Sequence, residues 1–384
     1  MVVKLKSEGA KMRETGTYQI LGNLHYFIPH PLPPSNPPLD LNAEIMALHG
    51  EASFALGQLN EMSNRLPNAN RFIRAYVIKE ALLSSAIEGI HTTLIDVFTH
   101  PLGESKPNKN TQLVLNYIQA LEVALQMLKD QGLPLATRVI LAAHHALLSD
   151  GEGDKAAPGL LRKQSVRVGN LVPPPASEVP NLMSTLEKYI NESSGLPPLI
   201  RAGLVHVQFE TIHPFLDGNG RIGRLLIVLM LIDSGLLDAP ILYPSYYFKK
   251  HHLEYYQRLD RVRTQGDFEG WIIYYLKAIR DSSLDACHRA KDIEALKTRL
   301  KDMVEHDPQF ARIRKTAAVT LDLLFSQPVI GIAGIGRGIE KSYNTAHNIV
   351  KQFVALGLLS DDNLPGRSKL YRFEPYLKLL EKEY

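Results

Sequence analysis

Between His213 and Arg224 the chain reads HPFLDGNGRIGR, a stretch that holds every residue type needed to handle a phosphate. Gly218 and Gly220 permit positive φ and let backbone N–H groups come close to an anion. A helix starting near Arg221 adds the partial positive charge of its first turn. Arg221 and Arg224 stand three apart at that start, so both guanidinium forks can face one anion, and Arg suits bidentate phosphate contact. Asp217 offers a hard oxygen beside the phosphates, as a Mg²⁺ shared with a nucleotide requires. His213 is the side chain able to take a proton near neutral pH. In-line attack at a phosphorus needs a base on the nucleophile side and cationic donors around the leaving group, and all are present here.

Two other readings of the stretch fail on context. Gly218, Gly220 and Gly223 spell a dinucleotide-type GxGxxG, but that fingerprint follows a strand. Here Ala202, Val205, Phe209 and Ile212 recur at spacings of three and four, which is helical. A Walker loop needs GK followed by Ser or Thr, which is missing. His206, Glu210 and His213 share a helix face and could ligate a metal, but a metal-dependent hydrolase leaves the Arg pair and the GNG loop unexplained, so His206 is expected to be a hydrogen-bonded core histidine.

The stretch matches the HPFx(D/E)GNGRxxR signature in full and so resembles the Fic domain family. The resemblance implies a mainly α fold, a Fic helical core with a small β-hairpin flap. It implies an adenylyltransferase that moves AMP from ATP to Tyr, Ser or Thr hydroxyls of target proteins and of itself, with some relatives also reversing the reaction. By the same resemblance His213 is the base that deprotonates the target hydroxyl and Asp217 the Mg²⁺ ligand. Gly218, Asn219 and Gly220 form the anion hole, Arg221 and Arg224 hold the outer phosphates, and Ile222 and Gly223 complete the ATP-binding stretch. Phe215 is expected to anchor the loop in the core. Upstream, SSAIEGI fits the (S/T)xxxE(G/N) inhibitory-helix motif as Ser84, Glu88 and Gly89, which implies that Glu88 pairs with Arg224 and withdraws it from the nucleotide. Tyr255 and Tyr256 resemble the paired tyrosines of the adenine pocket. The segment SVRVGNLV corresponds in position to the flap, which holds a target segment by strand addition, with Val168 and Gly169 set against the nucleotide.

These residues need elements to position them. At 384 residues the chain is long enough for an enzyme and an accessory module. Its net charge of +3 compels no nucleic-acid partner. The single cysteine, Cys287, excludes an intrachain disulfide and a Cys₄ zinc site and fits a cytoplasmic setting. No signal peptide is visible, and the longest apolar run, Leu225 to Ile232, is far short of the roughly 20 residues that span a bilayer, so no membrane is expected. Four parts are predicted. Residues 1–108 hold a Pro-rich arm, an extended segment over 25–40, and N-terminal helices that include the inhibitory one, closed by Gly89. Residues 109–285 form the catalytic core, in which SVRVGNLV turns at Gly169-Asn170 as a two-residue hairpin. Residues 286–310 form a charged connecting helix.

Residues 311–384 show the order helix, helix, longer helix and two-stranded wing, which resembles a winged helix. Ala346, Ile349, Phe353 and Leu356 are expected to face its core. Tyr343, Asn344, His347 and Lys351 on the third helix, and Arg367, Lys369 and Arg372 on the wing, are expected to face outward. Residues 331–384 contain eight Lys or Arg and six Asp or Glu, and 8 − 6 = +2 is modest for a DNA binder, so contact with a protein competes with contact with DNA. A transcription regulator whose core senses ATP without turnover is the alternative function, disfavoured by the intact His213.

Overall fold

The computed structural model describes residues 13–65, 69–99, 107–149, 156–192, 195–361 and 369–382. The chain is mainly helical, with two small antiparallel sheets. It opens on a hairpin, β1 (Gly16–Leu21) and β2 (Leu24–Pro29), in which Leu21 faces Leu24 across a Gly22-Asn23 turn. The extended arm expected over 25–40 is therefore corrected at its start: residues 24–29 are a strand, and the Pro-rich path begins only after it. Gly22 has φ of 60°, which a two-residue hairpin turn demands and glycine supplies freely.

Two long helices follow. α1 (Ala43–Arg65) packs along α11 (Phe268–His306), while α2 (Ala69–Ile87) runs across α4 (Lys109–Leu125) and α9 (Ser245–Lys250). α3 (Leu94–Thr99) lies between α2 and α4 in the chain. Gly89, with φ of 77°, ends the α2 turn, and Gly89 N donates to Ala86 O at 3.1 Å. α4 starts where Asn108 accepts a hydrogen bond from Thr111 N, and it pairs with α5 (Thr137–Leu148). α6 (Val179–Asn191) leads to the antiparallel pair α7 (Pro198–Ile212) and α8 (Asn219–Asp233). Both of these are apolar almost all round and lie buried in the centre of the core.

α10 (His252–Gln265) ends at Gly266, which has φ of 71°. α11 then runs without a break for 39 residues, about 58 Å at the usual helical rise. The separate connecting helix expected within 286–310 is the second half of this one element. Its side chains stay buried to Val304, packing first on the core and then on the C-terminal part. That part consists of α12 (Arg314–Ser326), α13 (Ile332–Gly338) and α14 (Tyr343–Ala355). A sheet of β3 (Val329–Gly331), β4 (Leu359–Asp361) and β5 (Leu370–Phe373) follows in the order β3-β5-β4, and α15 (Glu374–Glu381) closes it. Ala346, Ile349 and Phe353 are buried, as their spacing requires. Arg367 lies outside the described residues.

Candidate anion and nucleotide site

The site is the break between α7 and α8. α7 ends on His213, whose own backbone is left-handed (φ 49°, ψ 63°). A non-glycine residue holds that conformation only where its surroundings fix it. Arg162 does so: Nε donates to His213 O at 2.8 Å, and Nη2 donates to Pro174 O at 2.6 Å and Ile212 O at 3.3 Å. Its backbone N donates to Pro214 O at 2.9 Å. Arg162 is almost fully buried, and burial lowers its pKa to about 10, so it stays charged at neutral pH.

Phe215 is buried and stacks on the ring of His144, 3.6 Å between centroids and 6° from parallel. His144 props the loop from below. Its Nδ1 accepts from Gly159 N at 2.9 Å, so Nε2 carries the proton and donates to Asp217 O at 3.0 Å. Burial lowers the His144 pKa to about 4, which keeps this neutral arrangement. Asn219 uses its side chain on the same loop, with Oδ1 accepting from Phe215 N at 2.8 Å and Nδ2 donating to Phe215 O at 2.9 Å. The Asn219 amide is thus a brace for the loop.

Gly218 caps α8 with φ of 77°, and a Cβ there would come within 3.1 Å of Leu147. The first N–H groups of α8 have no carbonyl one turn back, which leaves them directed at whatever sits over Gly220. Glu88 sits there: a Cβ on Gly220 would lie 2.2 Å from Glu88 Oε1 and 2.9 Å from Arg224 Nη1. Glu88 Oε1 accepts from Arg224 Nη2 at 2.7 Å. Arg224 Nε donates to Ser84 Oγ at 2.9 Å and Nη2 to Ser84 O at 3.0 Å. Arg224 is 1% exposed, while the Glu88 side chain retains 35% exposure. The last turn of α2 therefore meets the helix start of α8 through one ion pair and two hydrogen bonds, and the sequence-predicted residues Ser84, Glu88, Gly220 and Arg224 are brought together.

Arg221 is also buried, with Nη2 3.6 Å from Asp217 Oδ2. Asp217 is half exposed, and its Oδ1 accepts from Gly218 N at 2.6 Å. His213 is partly exposed at the rim, with Nδ1 facing Glu210 O at 3.4 Å. A carbonyl only accepts, so the ring proton belongs on Nδ1 and the lone pair on Nε2. Burial lowers the His213 pKa to about 4, so the ring is neutral at physiological pH.

Other expected residues fall elsewhere. Ile222 is buried in the core, and a Cβ on Gly223 would lie 2.3 Å from Glu210 Oε1, so both serve packing of α7 on α8. Tyr255 is 1% exposed, and its hydroxyl meets His206 Nε2 at 2.8 Å. His206 is the satisfied core histidine expected, with Nδ1 2.8 Å from Gly223 O. Tyr256 is 44% exposed and lies close enough to Glu88 and Arg224 for their charges to act on its hydroxyl. Val168 and Leu171 exchange both backbone hydrogen bonds at 2.9 Å around an exposed Gly169, a single-rung hairpin. Its base is held by β2, where Phe27 N donates to Val172 O at 2.9 Å. Sequence reasoning missed Arg162 and His144. His144 carried a signal, as a histidine on the apolar face of LAAHHALLS, whereas Arg162 carried none.

Asp217 is half exposed beside the start of α8, the place from which a Mg²⁺ shared with a nucleotide would be held. Among the described residues no group of three His, Cys, Asp or Glu could hold a metal alone. An exposed carboxylate at the edge of a phosphate cradle is what a Mg²⁺ bound jointly with a nucleotide uses.

The site thus joins a buried helix start, with Glu88 over Gly220, to a neutral imidazole at its rim. Residues 46–126 match the Fic/DOC family N-terminal domain and residues 134–231 the Fic/DOC family domain. The two matches together cover a little under half of the chain. It is similar to Protein adenylyltransferase Fic of Drosophila grimshawi, 26% identical over 271 residues, which is 66% of this chain and 53% of that protein. It is also similar to the protein of that name from Drosophila persimilis, 30% identical over 225 residues, 57% of this chain and 42% of that one. The chain thus spans about half the length of the curated relatives it matches. In fold it resembles a Fic family protein from Desulfovibrio desulfuricans G20, with TM-score 0.55 and 23% identity, covering 88% of this chain and 98% of that one. It also resembles a fragment of Fic-1 from C. elegans, with TM-score 0.53 and 22% identity, covering 66% and 74%. No helix among the described residues is long and apolar enough to cross a membrane.

Proposed function

We propose that the chain is an autoinhibited protein adenylyltransferase that transfers AMP from ATP to Tyr, Ser or Thr hydroxyls of target proteins and of itself. The observation that carries this reading is that Glu88, whose charge acts on the His213 ring, lies over Gly220 at the start of α8 and pairs with Arg224, while Arg221 flanks Asp217 in the same loop. The target oxygen bonds to the α-phosphorus as the bond from that phosphorus to the pyrophosphate oxygen breaks, and the target proton passes to Nε2 of His213. A neutral ring with its proton fixed on Nδ1 is ready for that transfer. Arg221, Arg224 and the N–H groups of α8 hold the charge that develops on the pyrophosphate. Asp217 would hold Mg²⁺, which supplies further charge neutralisation when bound. Tyr256 borders the adenine, and the Val168-Gly169 hairpin registers the target segment.

Glu88 is the brake. Its carboxylate sits over Gly220, where a phosphate would bind, and it takes Arg224. The three helices α12–α14 with their sheet support a winged-helix reading of the C-terminal part, and Tyr343, Asn344 and His347, all exposed on α14, favour contact with DNA or another protein. ATP labelled at the α-phosphate, and in parallel at the γ-phosphate, tests the reaction in lysate with the Glu88→Gly variant. Label from the α position alone on protein is expected; label from the γ position alone would mean phosphoryl transfer and refute the reading.

A further inference from the structure

A buried polar junction ties the C-terminal helix to the helix that carries Glu88. The last carbonyls of α15 have no partner within the helix, and cations from two other elements take them. Lys79 Nζ, on α2, donates to Leu380 O at 3.1 Å. Arg289, on α11 and fully buried, donates to Leu379 O, to Leu380 O at 3.2 Å and to Lys382 O at 2.7 Å. Arg289 also pairs with Asp285 at 3.1 Å, and Asp285 accepts from the Tyr243 hydroxyl at 2.5 Å. The Tyr243 ring meets the Tyr76 ring of α2 edge-on at 5.4 Å, and the Lys79 ammonium lies 5.5 Å from the Tyr243 ring centre. Tyr76 then donates its hydroxyl to Ala286 O at 2.8 Å.

On α2 the residues of this junction continue into the brake. Tyr76, Glu80 and Ser84 follow at steps of four on one stripe of the helix, and Glu88 comes four further on, in the turn just past its end. Glu80, buried, accepts from Ser245 Oγ at 2.5 Å and Ser245 N at 3.1 Å, two residues from Tyr243. Ser84 and Glu88 end the stripe on Arg224. The same helix thus touches the C-terminal part at its middle, through Lys79, and the candidate site at its end.

We propose that the C-terminal part sets the strength of the Glu88 brake. Docked α15 holds α2 at the depth and rotation from which Glu88 reaches Arg224, and loosening α15 frees Glu88. This rests on the adenylyltransferase reading for its consequence, but not for its geometry. The test uses two full-length variants, one from each side of the contact: Lys79→Met and Leu377→Ala, the latter trimming a buried α15 side chain. Each should raise label incorporation from ATP by roughly fivefold to tenfold, within the ordinary range for coupled sites. Neither should add to the activity of Glu88→Gly. Amide exchange at residues 84–90 should quicken in both while that of α5 stays unchanged. Equal gains with and without Glu88, or unchanged exchange at 84–90, would overturn the proposal. Should Glu88→Gly itself take no label, the adenylyltransferase reading fails, and exchange alone decides the coupling.

Discussion

At the scale of single residues, the proposed chemistry rests on His213 and its geometry on the neighbours that hold it. His213→Ala in a Glu88→Gly background should cut label transfer by about 10²–10⁴, the usual contribution of a general base, with no loss of heat stability in a thermal melt. The pH profile follows from burial. With its pKa lowered to about 4 from the ordinary 6.5, His213 is neutral above that value and gains a proton only as pH falls through it. Label transfer by Glu88→Gly should therefore show no step near the ordinary histidine value and fall only as pH nears 4; a step at 6.5 in a rate-versus-pH series would contradict this. Arg162→Met removes a buried cation that holds the carbonyls of Ile212, His213 and Pro174, and should lower both activity and unfolding free energy, the latter by about 2–4 kcal/mol in denaturant titration. His213, Asp217, Arg221 and Arg224 were legible because one short string contains them. Arg162 was not, since the loop carbonyls it holds lie 50 and 51 positions away and nothing in its own surroundings marks it.

At the scale of elements, what matters is how closely α7, α8 and the end of α2 approach. Gly223 permits this: a Cβ would lie 2.3 Å from Glu210 Oε1 and 3.3 Å from the His206 ring. Gly223→Ala should cost about 1–3 kcal/mol by overpacking, read as a lower denaturant midpoint at unchanged slope. The helical periodicity of α7 and the glycine-permitted start of α8 could be read from the sequence, as could the turn at Gly169-Asn170. The first hairpin, β1–β2, carried the same Gly-Asn signal at residues 22 and 23 and was overlooked because the prolines beyond it dominate the composition of that region. Tyr255 and Tyr256 show the limit of adjacency on a helix. Consecutive residues point about 100° apart, so one faces His206 in the core and the other the site.

At the scale of the whole molecule, α11 is the frame. One helix buries side chains against α1 and the core at its start and against the C-terminal part at its end. A continuous helix could not be read from sequence, because charged residues crowd its second half and only their tertiary partners keep it straight. The proposed brake has a stability signature as well. Glu88→Gly removes the carboxylate from a guanidinium that is 1% exposed, so the variant should lose about 2 kcal/mol, less than a fully buried pair would cost because Glu88 keeps 35% exposure. ATP with Mg²⁺ should restore much of that loss and raise the melting temperature of the variant more than that of the parent, since ligand competes with Glu88 only in the parent. The most direct test of the account compares label transfer from α-labelled ATP in lysate by the parent, by Glu88→Gly and by the double variant Glu88→Gly/His213→Ala. The account predicts weak labelling by the parent, strong labelling by the single variant and none by the double variant. Strong labelling by the parent, or labelling that survives loss of His213, would contradict it.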